Sequence, residues 1–518
     1  MPEYLSPGVY IEEISIGPRP IEGVSTSTAG MVGAAERGPE YPNLIGSWIE
    51  FQRWYGSYIP DTSFLAYAVQ GFFDNGGKRC FVTRVTGASA TRTIGVIGNL
   101  TVAAIGRGAW GNRIMVKVEP GSNALQNPNQ FRVLVLYYRT MPTPFVDPTD
   151  TTQLTNRDRR EPDRLEVFDN LSFEPNDGNN VMATINGASH LVRVSWEGNT
   201  PQRPPDQPFT PLGTSGSDAP PLVSDYTGSD GPIPGLQGEL LGRGWGLNAL
   251  ALVDEISLLL VPDEVRAGLR PITNEVLKQC GSLKDRFALV SVSEAESSVN
   301  NLRPPDDTTY GALYYPWIRI YDPQSRDKRL VPPTGHVAGI FARTDIERGV
   351  HKAPANEVVR GALDLEFPVT TTMQDILNPR GVNCIRDFHP DRRGIRLWGA
   401  RTMSSDGEWK YVNVRRLFLF LEESIQESTQ WVVFEPNDEP LWARVRRSIE
   451  NFLIRVWRNG ALMGTTQEEA FFVKCDRTTM TQDDIDNGRL ICLIGIAPVK
   501  PAEFVIFRFF QKTAEAPA

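Results

Sequence analysis

The sequence predicts an α/β (α+β) protein whose core is built from N- and C-terminal parts of the chain, with a β-rich insertion between them and extended arms at both ends. Three observations lead there. Helix-like and strand-like apolar patterns alternate between residues 48 and 85 and resume from about 255 to 291. Short strands separated by polar turns fill 97 to 198, and both termini carry apolar, extended stretches. With 40% hydrophobic residues in 518, the chain can bury a large core, and its length suggests roughly two to four domains.

The elements follow in order. "YLSPGVYIEEISI" (4–16) reads as an arm holding a strand: a Pro-Gly turn, then the β-forming run Val9, Tyr10, Ile11, Glu12 and Ile14. "WIEFQRWYG" and "FLAYAVQGFFDNGG" are expected to be helical and "KRCFVTRV" a strand. In the insertion, "RIMVKVEP", "FRVLVLYYR", "RLEVFDNLSF" and "ASHLVRVSW" read as strands. The Pro-, Gly- and Ser-rich stretch 198–238 reads as a long surface loop that returns the chain to the first domain. "EISLLLVPD" and "RFALVSV" are buried-strand candidates, with a helix from "DEVRAGLRPITNEVLKQCGSL" between them. Helical patterns at 413–428 and 441–459 precede two closing strands, "LICLIGIAPV" and "EFVIFRFFQK". The expected division is an N-terminal arm (1–20), core (21–96), insertion with its loop (97–238), core again (239–500) and a C-terminal strand (501–518).

Two of these elements ask for a partner. Along the last strand Phe504, Ile506 and Phe510 alternate with Val505, Phe507 and Phe509, so both faces call for burial. Termini usually fray, so this one must be tied down by its own domain or by another molecule. In the helix at 441–459, Arg444, Arg447, Arg455 and Arg458 fall on one side, opposite Val445, Ile449, Phe452, Leu453 and Val456.

Charge and motifs narrow the chemistry. A net charge of −9, from 53 basic and 62 acidic residues, argues against binding nucleic acid through a generally basic surface. The start "MPEYLSPGVYIEE" lacks a basic, then apolar, secretory pattern, and no run approaches a membrane span, so the chain is expected to be soluble and not exported by the general pathway. Five cysteines without a CxxC spacing suit buried free thiols in a reducing compartment. "GRGAWG" (106–111) matches GxGxxG but precedes a strand, so it reads as a turn. "GFFDNGGKRC" lacks phosphate-loop spacing and reads as a glycine-capped helix end, with Lys78 and Arg79 beside the helix dipole. Four scattered histidines give no zinc spacing, and no nucleophile motif is present. No catalytic residue, cofactor or metal is assigned. The segment 332–357, "PPTGHVAGIFARTDIERGVHKAPANE", could dress an active-site loop, with Asp345, Glu347 and His351 as acid/base groups and Arg343 or Arg348 holding an anion. The other reading is an irregular segment whose charges pair with a neighbouring subunit, and spacing does not separate the two.

That segment, with "GVNCIRDFHPDRRGIRLWGARTMSSDGEWKYVNVRRLFLFLEESI" (381–425), closely resembles the core of contractile-tail sheath proteins, both phage tail sheaths and the sheaths of phage-like contractile injection systems. The likeness extends to "YLSPGVYIEEI", "FFDNGGKRCFVTRV", "GAWGN" and "TMTQDDIDNGRLICLIGIAPVKPAEFVIFRF". It implies a structural polymer and not an enzyme: stacked hexameric rings around an inner tube, held extended on a baseplate and contracting on a trigger to drive the tube through a target envelope. It implies that terminal arms add strands to a neighbouring subunit's sheet by β-augmentation, and that the arginine face of the helix at 441–459 meets the inner tube, the alternative being a solvated charged face. "GPRP" (17–20) and "APVKPAE" (497–503) would be stiff connectors beside the arms. Implied partners are further copies of the chain, the inner tube protein, and baseplate and terminator or cap proteins, with an AAA+ ATPase of the gene cluster as a further candidate. Direct nucleic-acid binding and membrane insertion are not expected. Assembly is expected in the bacterial cytoplasm, within a virion or a released particle. The alternatives are a baseplate or tube-associated structural protein of the same particle, and an enzyme using the 332–357 segment.

Overall fold

A computed structural model describes residues 20–508, apart from 60–61, 197–200, 234–243, 295 and 297. The chain divides into two compact units: Ser25–Arg416, and the described residues on either side of that range.

The larger unit is organised by a nine-stranded sheet. Its order is Glu357–Val358, Gly394–Leu397, Val382–Phe388, Gly311–Tyr315, Phe287–Ser291, Leu258–Leu260, Ala29–Gly33, Cys80–Arg84, Asn43–Ile45. The run from Val382–Phe388 to Cys80–Arg84 is parallel throughout, and antiparallel strands close both edges. Four central strands are buried at every position, which explains why "GMV", "LLL" and "FALV" are continuous apolar runs: a parallel sheet is covered on both faces. Early and late parts of the chain thus share one sheet, with Ala29–Gly33 seated between Leu258–Leu260 and Cys80–Arg84.

Helices Trp48–Tyr55, Leu65–Asp74 and Ile272–Leu283 fall where the pattern predicts. After Asp74 the chain turns through Gly76 at φ +106°, and the Gly77 amide donates to the Phe72 carbonyl at 2.9 Å, as expected of a glycine-closed helix end. Arg79 pairs with Glu255. The start of Leu65–Asp74 is held by buried Asp263, which accepts from the Phe64 amide at 2.6 Å, Ser63 Oγ at 2.7 Å and the Tyr226 hydroxyl at 2.8 Å.

Between residues 94 and 211 the chain forms two antiparallel sheets. One orders Gln207–Pro211, Ile114–Pro120, Phe131–Tyr137 and Arg164–Leu171; the other orders Ile94–Ile97, Leu100–Ala104 and Val192–Trp196. Val116, Val133, Val135, Leu171, Ile185 and Val194 belong to one shared core. Two departures from the sequence reading occur here. The Pro-rich stretch supplies the strand Gln207–Pro211, which lies at a sheet edge, where proline's missing N–H costs no ladder bond. Val181–Ala188 is a helix, started by Asn180, whose side chain accepts from the Met182 and Ala183 amides.

The smaller unit holds most of the helix Val412–Ser428, the helix Glu439–Arg458 and the antiparallel hairpin Phe471–Lys474 with Leu493–Ile496. Asp438 caps the second helix by accepting from the Leu441 amide at 2.9 Å. Its apolar stripe, Val445, Ile449, Phe452, Leu453 and Val456, is buried, and Phe452 meets Phe420 at a ring separation of 5.9 Å.

Candidate functional site

Most of the segment considered for catalysis is not a loop, although residues 349–356 are irregular. Thr334–Arg348 is a 15-residue helix, buried from Thr334 to Thr344. Its glycines permit a close crossing with Leu65–Asp74: a Cβ on Gly335 would lie 2.4 Å from Ala68 Cα, and one on Gly339 would lie 2.4 Å from the Phe72 carbonyl oxygen. Across the same contact, a Cβ on Gly71 would strike the His336 ring at 2.4 Å. His336 is fully buried and its Nδ1 has no hydrogen-bond partner among the described residues; burial pushes its pKa down to about 4.

Two charged residues of this helix, Asp345 and Arg343, have structural partners. Asp345 accepts two hydrogen bonds from Arg416, at 3.0 and 2.6 Å, with both side chains almost wholly buried. Arg416 also donates to the Thr26 carbonyl at 2.8 Å and lies over the Phe341 ring. Arg343 donates to the carbonyls of Asn75 and Val358, each at 3.0 Å. A carboxylate enclosed in a bidentate ion pair is not presented to a substrate, so the acid/base assignment of Asp345 is withdrawn. Among the described residues, no three His, Cys, Asp or Glu side chains form a metal-binding group, and no helix is long and apolar enough to cross a membrane.

The candidate contact residues are on the smaller unit. Phe504, Val505, Ile506 and Phe507 are 70, 69, 76 and 77% exposed, and residues 501–508 form no strand among the described residues. Phe509 and Phe510 lie outside the described residues, as do Val9, Tyr10, Ile11, Glu12 and Ile14. The four arginines share one face of Glu439–Arg458 but differ in surroundings. Arg444 pairs with Glu435 at 3.2 Å, Arg447 donates to the Ala443 carbonyl, and Arg455 donates to the Ile21 carbonyl at 2.6 Å. Arg458 is exposed and makes no hydrogen bond or ion pair among the described residues.

Sequence reasoning missed how the ends are rooted. The Val24 amide donates to Ser424 Oγ at 3.1 Å and the Glu22 amide to Ser428 Oγ at 3.3 Å, beside the Arg455–Ile21 contact. At the other end the Val499 amide donates to the Ala461 carbonyl at 3.2 Å, and Leu462 bridges to Pro498. The serines four apart on one helix face were visible in the sequence, but nothing local announces that their partners lie some four hundred residues earlier.

Comparison with known proteins decides the family. The phage tail sheath protein central domain matches residues 249–403, and the phage tail sheath C-terminal domain matches 404–512, so together they run unbroken over just over half the chain. The chain belongs to the phage tail sheath family. Among curated sheath relatives, it is 27% identical over 241 residues to a putative prophage major tail sheath protein of Pseudomonas aeruginosa strain UCBPP-PA14, covering 43% of this chain and 60% of that protein. It is 26% identical over 231 residues to the tail sheath protein of Vibrio phage KVP40, covering 44% of this chain and 33% of that one. The matched region therefore spans less than two thirds of either sheath relative. The solved helical sheath of the anti-feeding prophage in its contracted state matches with a TM-score of 0.58 and 25% identity, over 98% of this chain and all of that one. The mixed α/β class expected from the sequence is that of the solved sheath structures.

Proposed function

We propose that this chain is the repeating subunit of a contractile sheath, polymerising as stacked hexameric rings around an inner tube and contracting to drive that tube through a target envelope. The observation that carries the reading is the likeness over nearly the whole chain to a protein assembled as a helical sheath in a contracted state. The exposed run Phe504–Phe507 supports a linking mechanism. Burying a Phe, Val or Ile side chain is worth about 1.5 to 3 kcal/mol. Four such residues, each roughly three-quarters exposed, offer on the order of 4 to 9 kcal/mol to a neighbour. Fixing the backbone offsets about 1 to 2 kcal/mol per residue, so one link alone is weak and a repeating lattice of links is strong. Addition of the arm to a neighbour's sheet supplies ladder hydrogen bonds and a side-chain register besides. The contact is head-to-tail, so it propagates a helix and does not stop at a dimer. The arm residues Val9, Tyr10, Ile11, Glu12 and Ile14 serve the complementary link, and Arg444, Arg447, Arg455 and Arg458 face the inner tube. The baseplate is the assembly's starting surface.

The test is electron microscopy of the purified chain beside a version ending before Glu503. Ridged hollow tubes from the full chain, and monomers or short rings from the truncation, are expected. Discrete small particles from both, even with inner tube protein supplied, would overturn the reading.

A further inference from the structure

Two cysteines, 17 positions apart in sequence, face each other across the hairpin that precedes the C-terminal segment. The ladder pairs Phe471 with Ile496 and runs antiparallel to Lys474 with Leu493. Continuing that register by one step sets Cys475 opposite Cys492. The Ala497 amide donates to the Ala470 carbonyl at 2.9 Å, so 470/497 is a hydrogen-bonded pair. Hydrogen-bonded and non-hydrogen-bonded pairs alternate along an antiparallel ladder. The pairs 472/495 and 474/493 are then hydrogen-bonded as well, and 475/492 is a non-hydrogen-bonded pair. At such a pair the Cα atoms lie about 4.5 Å apart and the side chains approach most closely, within the range of about 4.4 to 6.8 Å that a disulfide spans. The two thiols lie near enough for each to shift the other's ionisation. The other three cysteines, Cys80, Cys280 and Cys384, are buried.

We propose that Cys475 and Cys492 are an oxidation site, a dithiol that a small-molecule disulfide converts to an intramolecular bond stapling the hairpin. Cys492, the more accessible of the two, attacks one sulfur of the small disulfide and expels the other half as a thiol. The Cys475 sulfur then attacks Cys492, forming the protein disulfide and expelling the second thiol. Two protein S–H bonds and one S–S bond are lost; one protein S–S bond and two small-molecule S–H bonds are formed, so protons and electrons balance. Ionisation of either sulfur opposes ionisation of the other, so the two titrate as a pair, the first proton leaving more easily than the second. The bond closes the segment 475–492, which carries the short helix Gln482–Asp486, and it would restrict that loop in the unfolded chain.

The experiment incubates the native full-length chain with oxidised glutathione, then alkylates under denaturing conditions and maps peptides by mass spectrometry. The expected result is a single linked pair, 475 with 492, with Cys80, Cys280 and Cys384 alkylated, and a rise of several degrees in the Tm that dithiothreitol reverses. In Cys475→Ser, Cys492 should instead retain glutathione, and the Tm should not rise. Five alkylated cysteines, glutathione on both sulfurs without a bond, or a link that forms only after denaturation would each overturn the proposal. Polymerisation is not part of the readout, so the outcome is independent of the sheath reading.

Discussion

The Asp345–Arg416 pair separates a structural from a catalytic reading of the Thr334–Arg348 helix. Asp345 and Arg416 side chains are 2 and 3% exposed, joined by two hydrogen bonds, with a third from Arg416 to Thr26. Removing one partner of such a buried pair strands a charge in a poorly solvated site and costs about 3 to 5 kcal/mol. Replacing both by apolar residues of similar volume is often neutral or stabilising by about 1 to 4 kcal/mol. Asp345→Leu and Arg416→Met should therefore each lower the urea midpoint strongly. The double variant should recover most of the loss, with a coupling energy of about 2 kcal/mol or more. The assay is equilibrium urea unfolding of the four proteins, read by circular dichroism, with hydrogen exchange on peptides from residues 334–348. A single variant that loses less than about 1 kcal/mol, or a double variant as unstable as the two losses added, would refute the argument.

Other consequences can be checked separately. Gly335→Ala places a Cβ against Ala68 backbone and should cost about 1 to 3 kcal/mol, whereas Gly281→Ala, in a helix with open space around it, should gain up to about 1 kcal/mol; thermal unfolding compares them. His336 binds a proton in the unfolded chain near pH 6.5 but in the native state only near pH 4. Its contribution is fully present above pH 6.5 and is lost as the pH falls toward 4, by about 3 kcal/mol in all. A His336→Asn variant should show a flatter fall in urea midpoint between pH 7 and 4.5 than the parent. Arg458→Glu should impair assembly on the inner tube without lowering Tm, because its side chain has no bond to lose among the described residues; tube-templated assembly followed by sedimentation reads this. Arg455→Glu should additionally release the Ile21 carbonyl and expose the segment around it to protease.

The elements most legible in the sequence were those whose local pattern and final burial agree. "FALV" and "LLL" could only be covered on both faces, and the 441–459 stripe of Val445, Ile449 and Phe452 is buried as its spacing demands. The helix Thr334–Arg348 was misread because Pro332, Pro333, Gly335 and Gly339 argue locally for irregular chain. The prolines stand before or at its start, and the glycines are the contact surface for Leu65–Asp74, a long-range requirement that propensity cannot register. Likewise Cys475 and Cys492 show no motif; only the hairpin register makes them neighbours. The exposed Phe504–Phe507 run is recognisable as needing a partner, and no strand forms to receive it among the described residues.

The rooting of both ends in one small unit has a mechanical consequence. Were neighbouring subunits linked through their termini as proposed, tension entering near Ile21 would meet Arg455 and the serines of Val412–Ser428, pass along Glu439–Arg458 to Ala461, and leave through Val499. No strand of the nine-stranded sheet lies on that route. In a net of such subunits, load would run from node to node through a helix pair and a hairpin. The greater part of each subunit would be carried as cargo on the net and would not act as one of its cables.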